Sequence, residues 1–205
     1  MDIGQWIVIV LSVVMGVWFV IGSAINRRRG VETYKWFQKQ LEPLGKISEA
    51  RWIGTSGSGA RMVVGKPARP YQRMEVVFLL DSREILPLWA FNLLRGKQDE
   101  MVLKANLRTV PAEEVEVKRM GKGLFSKGGG STPETLALAG FEIARKGKGK
   151  PFSPGQLEGF LREYGEAILS ISVKKQMPHL IVRASLPPLR AEEASGFFQA
   201  LQACL

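Results

Sequence analysis

The chain contains few residues that could carry out acid–base or nucleophilic chemistry. His179 is the only histidine, and although it could serve as a general base, no nucleophile or orienting carboxylate stands at a recognisable spacing from it. A histidine in a turn is the favoured interpretation. The carboxylates Asp81 and Glu84, and likewise Glu113 and Glu114, fall at predicted strand ends or turns, where solvated surface is their usual role.

The stretch that comes nearest to a phosphate-binding loop is residues 54–61, GTSGSGAR. Its outer glycines have the required four-residue gap, but Ala60 and Arg61 stand where the motif needs Lys and Ser or Thr. It also lies between two predicted strands, so a hairpin turn is predicted. Cys204, the single cysteine, has no neighbouring metal ligands. The sequence therefore predicts no cofactor, no metal site and no enzymatic activity.

An apolar segment precedes all of these residues. Residues 3–25 contain no charged side chain, and about 20 residues at 1.5 Å each match the roughly 30 Å hydrocarbon core of a bilayer. Arg27, Arg28 and Arg29 follow at once, and Lys and Arg beside a span mark its cytoplasmic end. We predict a single-pass protein of the cell membrane, with residues 1–2 outside and the main domain in the cytoplasm. A cleaved signal peptide is the less favoured alternative, because its basic residues would precede the apolar core.

The net charge of +10 is concentrated in two segments. Residues 27–73 contain eleven Lys and Arg against three Glu, and residues 118–150 contain eight against two. Anionic lipid attracts juxtamembrane cations by about 1 kcal/mol each, so membrane lipid is the predicted partner of the cations nearest the span: Arg27, Arg28, Arg29, Lys35 and Lys39. Nucleic acid is the less favoured partner, and its binding would depend on four lysines of the second segment: Lys122, Lys127, Lys146 and Lys148.

Two further membrane contacts are predicted. Ser12 and Gly16 have the small-xxx-small spacing by which spans pair, although in a segment rich in Gly and Ser chance occurrence is favoured. Residues 85–94 are almost entirely apolar but too short to cross a bilayer, and a helix is predicted over 87–95. The apolar sides of this helix must be covered either by the protein core, which we favour, or by the membrane interface, which Trp89 and Phe91 would contact.

The rest of the sequence predicts an α+β domain with antiparallel hairpins. Apolar residues at helical spacing predict helices over 31–41, from 153 onwards and over 190–203. Alternating residues predict three hairpins, which pair 46–53 with 61–65, 100–108 with 113–119 and 166–174 with 179–185. A further strand is predicted over 71–80, and 136–144 is a strand candidate with a helix as the alternative.

The order strand, helix, strand, strand recurs at an offset of 66 residues, which leaves duplication and chance recurrence both open. The predicted divisions are a span at 3–25, a basic juxtamembrane segment and linker helix at 26–45, a first module at 46–120, a Gly/Lys-rich linker at 121–133 and a second module at 134–205. The predicted function is a binding or scaffolding module, held at the membrane surface by its anchor, for a protein partner, anionic lipid or both. A membrane-tethered nucleic-acid-binding protein is the alternative, and an enzyme with an unrecognised site is less favoured still.

Overall fold

The computed structural model describes residues 2–120, 135–146, 154–191 and 195–205. Within them the helices are α1 (Ile3–Leu41), α2 (Leu86–Leu94), α3 (Pro154–Tyr164), α4 (Leu186–Ala191) and α5 (Ser195–Cys204). The strands are β1 (Ile47–Trp52), β2 (Gly59–Val64), β3 (Tyr71–Leu79), β4 (Glu100–Leu107), β5 (Glu114–Arg119), β6 (Thr135–Leu138), β7 (Phe141–Lys146), β8 (Ile168–Val173) and β9 (Leu180–Ser185). The predicted α+β class is confirmed.

The strands form one antiparallel sheet in the order β1-β2-β3-β4-β9-β8-β5-β7-β6. Because strand residues alternate between the two faces, one row of paired residues crosses the sheet on the buried face: Met62, Val76, Leu103, Val182, Ile171, Val117 and Ile143. The C-terminal half of α1, α3 and α5 pack on this face, and the ring of Phe37 stacks 5.5 Å from that of Phe78. The core therefore lies between the sheet and a single layer of helices.

The opposite face of the sheet carries charged and half-buried apolar residues. Val77, Val102 and Ile181 lie near its centre. Ion pairs lie beside them, with Arg61 Nη2 2.7 Å from Glu75 Oε2 and Arg183 Nη2 2.9 Å from Glu100 Oε2. None of the described helices contributes a core residue to this side, so we call it the open face. An antiparallel sheet tolerates water on one face.

The predicted hairpin of 100–108 with 113–119 is wrong. β4 lies between β3 and β9, and β5 lies between β8 and β7. The confirmed hairpin of β8 and β9 separates them, with Leu103 opposite Val182 and Val117 opposite Ile171. The alternation of apolar and polar residues predicts which face of a strand is buried. It does not predict the neighbouring strand, because any strand with a matching row of apolar residues could pair there.

The sheet also crosses the predicted module boundary. β5 belongs to the first predicted module but pairs with β7 and β8 of the second. A duplication at an offset of 66 residues would make β4 and β8 equivalent strands, yet both pair with β9. The two halves therefore do not have equivalent strand pairing. The linker at 121–133 lies outside the described residues.

The candidate strand at 136–144 is divided into the hairpin of β6 and β7, turned by Ala139 and Gly140 with φ of 50° and 81°, and two successive positive φ values are typical of a two-residue hairpin turn. Of the final helix predicted at 190–203, residues 190–191 lie in α4 and 195–203 lie in α5, and residues 192–194 lie outside the described residues. By contrast, the predicted hairpin of 46–53 with 61–65 and the strand at 71–80 are confirmed as β1, β2 and β3.

α1 joins two predicted elements into one. The apolar segment 3–25 and the predicted helix 31–41 form a continuous helix of 39 residues, about 58 Å long at 1.5 Å per residue. Among the residues the structure describes, it is the one helix long and apolar enough to cross a membrane. No break separates the apolar segment from the residues that pack in the domain core.

The helix predicted over 87–95 is confirmed as α2, but its favoured placement in the core is wrong. Only Asn92 of its nine residues is buried, and Leu94 is 87% exposed. The described part of the domain therefore leaves the apolar side chains of α2 largely uncovered.

Cys204 provides a chemical check on the placement of α5. Its side chain is 5% exposed, and Sγ donates to the Gln156 carbonyl oxygen at 3.5 Å. Burial raises the pKa of the Cys204 thiol, and the thiolate is the reactive form. We expect a disulfide reagent at neutral pH to modify the folded chain far more slowly than the urea-unfolded chain, as followed by the release of its coloured thiolate. Equal rates would contradict this packing.

Candidate membrane-proximal site

The buried face of α1 begins below its most apolar part. No residue from 3 to 21 is buried. The buried residues follow at intervals of three or four, which places them on one side of the helix: Gly22, Asn26, Gly30, Thr33, Phe37 and Leu41. The domain thus packs against the second half of α1, and the first half has no buried residue among those described.

Glycines allow the backbones to approach closely on this face. A Cβ built on Gly30 would lie 1.7 Å from the Ser56 carbonyl oxygen, and one on Gly22 would lie 2.4 Å from the Arg83 carbonyl oxygen. Gly57 in turn packs against Asn26. The glycine-rich stretch 54–59 is the turn between β1 and β2, as predicted, and it also forms part of the surface that receives α1.

A largely buried cluster of polar side chains joins α1 to α2 and to the loops on either side of α2. We call Asn26, Asp81, Arg83, Asn92 and Asp99 the junction cluster. Asn26 Nδ2 donates to the Asp81 carbonyl oxygen at 3.0 Å and to Glu84 Oε2 at 2.8 Å, while Asn26 Oδ1 accepts from Arg83 Nη1 at 3.0 Å. Asn26 therefore uses both its amide nitrogen and its carbonyl oxygen to bind the segment between β3 and α2.

Arg83 and Asp99 form an ion pair within the junction cluster. Arg83 Nη2 lies 3.0 Å from both carboxylate oxygens of Asp99, and Asp99 Oδ1 also accepts from the Asp81 backbone N–H at 2.8 Å. Asn92 Nδ2 donates to Asp81 Oδ1 at 2.7 Å. A buried ion pair needs such additional hydrogen bonds to offset desolvation. Removal of the Asp99 charge would leave the Arg83 guanidinium without a carboxylate partner among the described residues, whereas Asp99 has a second cation, Arg29, at 3.6 Å.

The five predicted lipid-binding cations are all exposed on α1. Arg28 pairs with Glu32 at 2.9 Å, and Arg29 Nη1 lies 3.6 Å from Asp99 Oδ2. No ion pair joins Arg27 to another described residue. Lys35 and Lys39 lie about 12 and 18 Å farther along the helix than Arg27. The structure therefore places Arg27, Arg28 and Arg29 together and the two lysines at a distance.

Arg27 lines a cleft of about 620 Å³ beside α1. Its walls include the apolar side chains of Phe19 and Val20 and, towards the domain, the polar residues Thr55 and Glu84. The cleft thus changes from apolar to polar along the helix axis. That order matches the order of acyl chain and headgroup in a phospholipid.

The predicted interfacial residues lie on α2. The ring of Trp89 lies 5.2 Å from that of Trp18, whose Nε1 donates to the Arg83 carbonyl oxygen at 2.9 Å. Phe91 is exposed, and the Arg95 guanidinium carbon lies 5.1 Å from its ring centroid.

The predicted span-pairing residues, Ser12 and Gly16, are exposed one turn apart in α1. Ser12 Oγ donates to the Val8 carbonyl oxygen at 2.8 Å, and a Cβ on Gly16 would meet no atom within 4 Å. Span pairing stays a prediction.

His179 has a structural contact. Its side chain is buried, and Nδ1 accepts from the Leu107 backbone N–H at 3.0 Å. In the described part of the chain, no three His, Cys, Asp or Glu side chains meet in a group that could hold a metal ion. Of the lysines named for nucleic acid, Lys146 is exposed at the end of β7, whereas Lys122, Lys127 and Lys148 lie outside the described residues.

The junction cluster was not predicted from the sequence. Its members come from α1, from α2 and from the loops on both sides of α2, so no local spacing unites them. One signal was available, since Gly22, Asn26 and Gly30 recur every four residues and mark a face of small and polar residues at the end of an apolar helix.

The chain was compared with protein-family models and with curated protein sequences, and it matches none of either. Its function is therefore argued from the geometry of this site.

Proposed function

We propose that this chain is a single-pass membrane protein whose α+β domain is held against the cytoplasmic leaflet, where it binds anionic lipid and a partner protein. The observation that carries the proposal is the continuity of α1, which passes without a break from an exposed apolar segment to Gly22, Asn26 and Gly30 in the buried junction. With no linker between them, the domain lies directly beside the end of the span.

The arginines support the cytoplasmic orientation. Arg27, Arg28 and Arg29 directly follow the apolar segment and are exposed, and cations at this position are retained on the cytoplasmic side. Protease added to right-side-out vesicles should leave the domain intact and should digest it after the vesicles are opened. Digestion in sealed vesicles would overturn the orientation.

The cleft beside Arg27 supports binding of a phospholipid. An acyl chain would lie along Phe19 and Val20, and the phosphate would meet Arg27, which forms no ion pair with another described residue, while the Glu84 carboxylate in the cleft accepts from Asn26. The full chain should therefore associate more strongly with spin-labelled phosphatidylglycerol than with spin-labelled phosphatidylcholine in mixed bilayers, as measured from the motionally restricted component of the spectrum.

A matched pair of variants tests the role of Arg27. Arg27→Gln should reduce the preference for phosphatidylglycerol by about 1 kcal/mol, roughly fivefold. Lys35→Gln removes the same charge about 12 Å farther along α1, beyond a Debye length of about 8 Å at physiological salt, and should change the preference little. Equal effects of the two variants, or no preference in the parent chain, would contradict the proposal.

The open face is the surface we assign to a partner protein, because Val77, Val102 and Ile181 form an apolar centre between charged pairs. A photo-crosslinking residue at Val102 in native membranes should give a discrete product, while the same residue at Gln199, exposed on α5, should not. The same products from both positions, or none from Val102, would remove this assignment.

A further inference from the structure

α2 exposes apolar side chains that lie next to one another. Leu94 is 87% exposed, Leu93 60% and Phe91 54%, while Ile85 and Leu88 are 46% and 41% exposed. Isolated exposed apolar residues are common on soluble proteins, but a contiguous group marks an interaction surface. α2 and the residue that precedes it, Ile85, supply this entire group.

The junction cluster holds α2 at a defined level along α1. At its N-terminal end, Glu84 binds Asn26; at its C-terminal end, Asn92 binds Asp81, and Lys97 Nζ lies 3.6 Å from the same carboxylate. Between these ends, Trp89 contacts Trp18. Residues at both ends of α2 are thus joined to the part of the fold that binds Asn26, while Trp89 in its middle contacts Trp18.

The apolar surface of α2 continues that of the span. Trp18 and Trp89 are in contact, and the residues of α1 above Trp18 are exposed and apolar. No acidic residue occurs from 85 to 98, and Arg95 and Lys97 are exposed directly after α2. Apolar residues followed by cations are the composition of helices that lie in the headgroup region of anionic membranes.

We infer that α2 is an interfacial helix, which inserts Phe91, Leu93 and Leu94 into the same leaflet that α1 leaves and places Arg95 among the phosphates. The inference rests on the proposed function, because it needs α1 to span the bilayer. If α1 spans the bilayer, Trp89 lies at the membrane depth of Trp18, where lipid surrounds the protein. The position of α2 and the cations that follow it therefore fit contact with the bilayer.

Nitroxide accessibility in the full chain tests this placement. Cys204→Ala supplies a background without thiols, and single labels are attached at Leu94→Cys, at Val10→Cys in the apolar half of α1 and at Lys104→Cys on the open face. All three side chains are exposed, so labelling should not disturb the packing. The protein is reconstituted in bilayers of phosphatidylcholine and phosphatidylglycerol, and collisions with oxygen, which concentrates in lipid, are compared with those of a water-soluble nickel complex.

The label at Leu94 should show an oxygen-to-nickel ratio near that of Val10 and several-fold above that of Lys104. A ratio equal to that of Lys104, with Val10 still in lipid, would overturn the inference about α2 alone. Protection of Leu94 from both reagents would also overturn it, because a protein surface would then cover α2. If Val10 itself were accessible to nickel, the span and the proposed function would fail together.

Discussion

Asp99→Asn is expected to lower the free energy of unfolding of the full chain in detergent micelles by about 3 kcal/mol, because it leaves the Arg83 guanidinium, whose side chain is only 15% exposed, without its counter-charge. Asp99 is buried, and both of its carboxylate oxygens contact Arg83 Nη2 at 3.0 Å. The substitution preserves volume, so packing is unchanged and the loss is electrostatic. Urea unfolding followed by intrinsic fluorescence measures it.

The next residue provides the matched control. Glu100→Gln removes the same charge from a pair with Arg183, in which the arginine side chain is 51% exposed and the glutamate 28% exposed. Exposed pairs contribute about 0–1 kcal/mol, so this variant should remain close to the parent chain. If both substitutions cost the same, the junction cluster would not be the anchoring group described here.

Gly30→Ala is expected to lower the free energy of unfolding by about 1–3 kcal/mol, as overpacking typically does. The new Cβ would lie 1.7 Å from the Ser56 carbonyl oxygen and 2.9 Å from its carbonyl carbon, both backbone atoms. The turn at 54–59 must move away from α1 to admit it. The cost should exceed the gain of up to about 1 kcal/mol that alanine brings over glycine in a helix.

The same substitution in α3 should have the opposite sign. A Cβ on Gly159 meets no atom within 4 Å, so Gly159→Ala retains the helix-propensity gain and should stabilise the chain by about 0.4–1 kcal/mol. Both variants are compared in one urea titration series. Stabilisation of the chain by Gly30→Ala would show that α1 does not pack closely against the turn.

Local patterns predicted the elements well, because burial on one face imposes a period on each of them. The buried face of α3, with Leu157, Phe160, Leu161 and Tyr164, lies where helical spacing places it. Strand partners were harder to predict, since Leu103 could oppose Val182 or Val117 with equal apolar complementarity. The choice depends on the whole sheet, and the sequence of β4 alone does not contain it.

The candidate site was harder to predict for a related reason. Asp81 and Asp99 are 18 residues apart, and Asn26 is 55 residues from Asp81, so only the folded chain brings them together. α2 was assigned to the core because apolar composition alone does not distinguish burial in protein from contact with lipid. The exposure of Leu94 shows that this side of α2 is not covered by the described protein core.

The unbroken course of α1 restricts how the domain can move. A folded unit on a flexible linker can rotate independently of its anchor, whereas one fixed at Gly22, Asn26 and Gly30 takes the tilt and azimuth of the helix itself. Rotation of α1 about its own axis turns the sheet through the same angle. If α1 spans a bilayer as we propose, another membrane-bound molecule approaches the domain by lateral diffusion and meets it in a fixed orientation. Part of the orientational entropy that association costs in solution is then lost before binding.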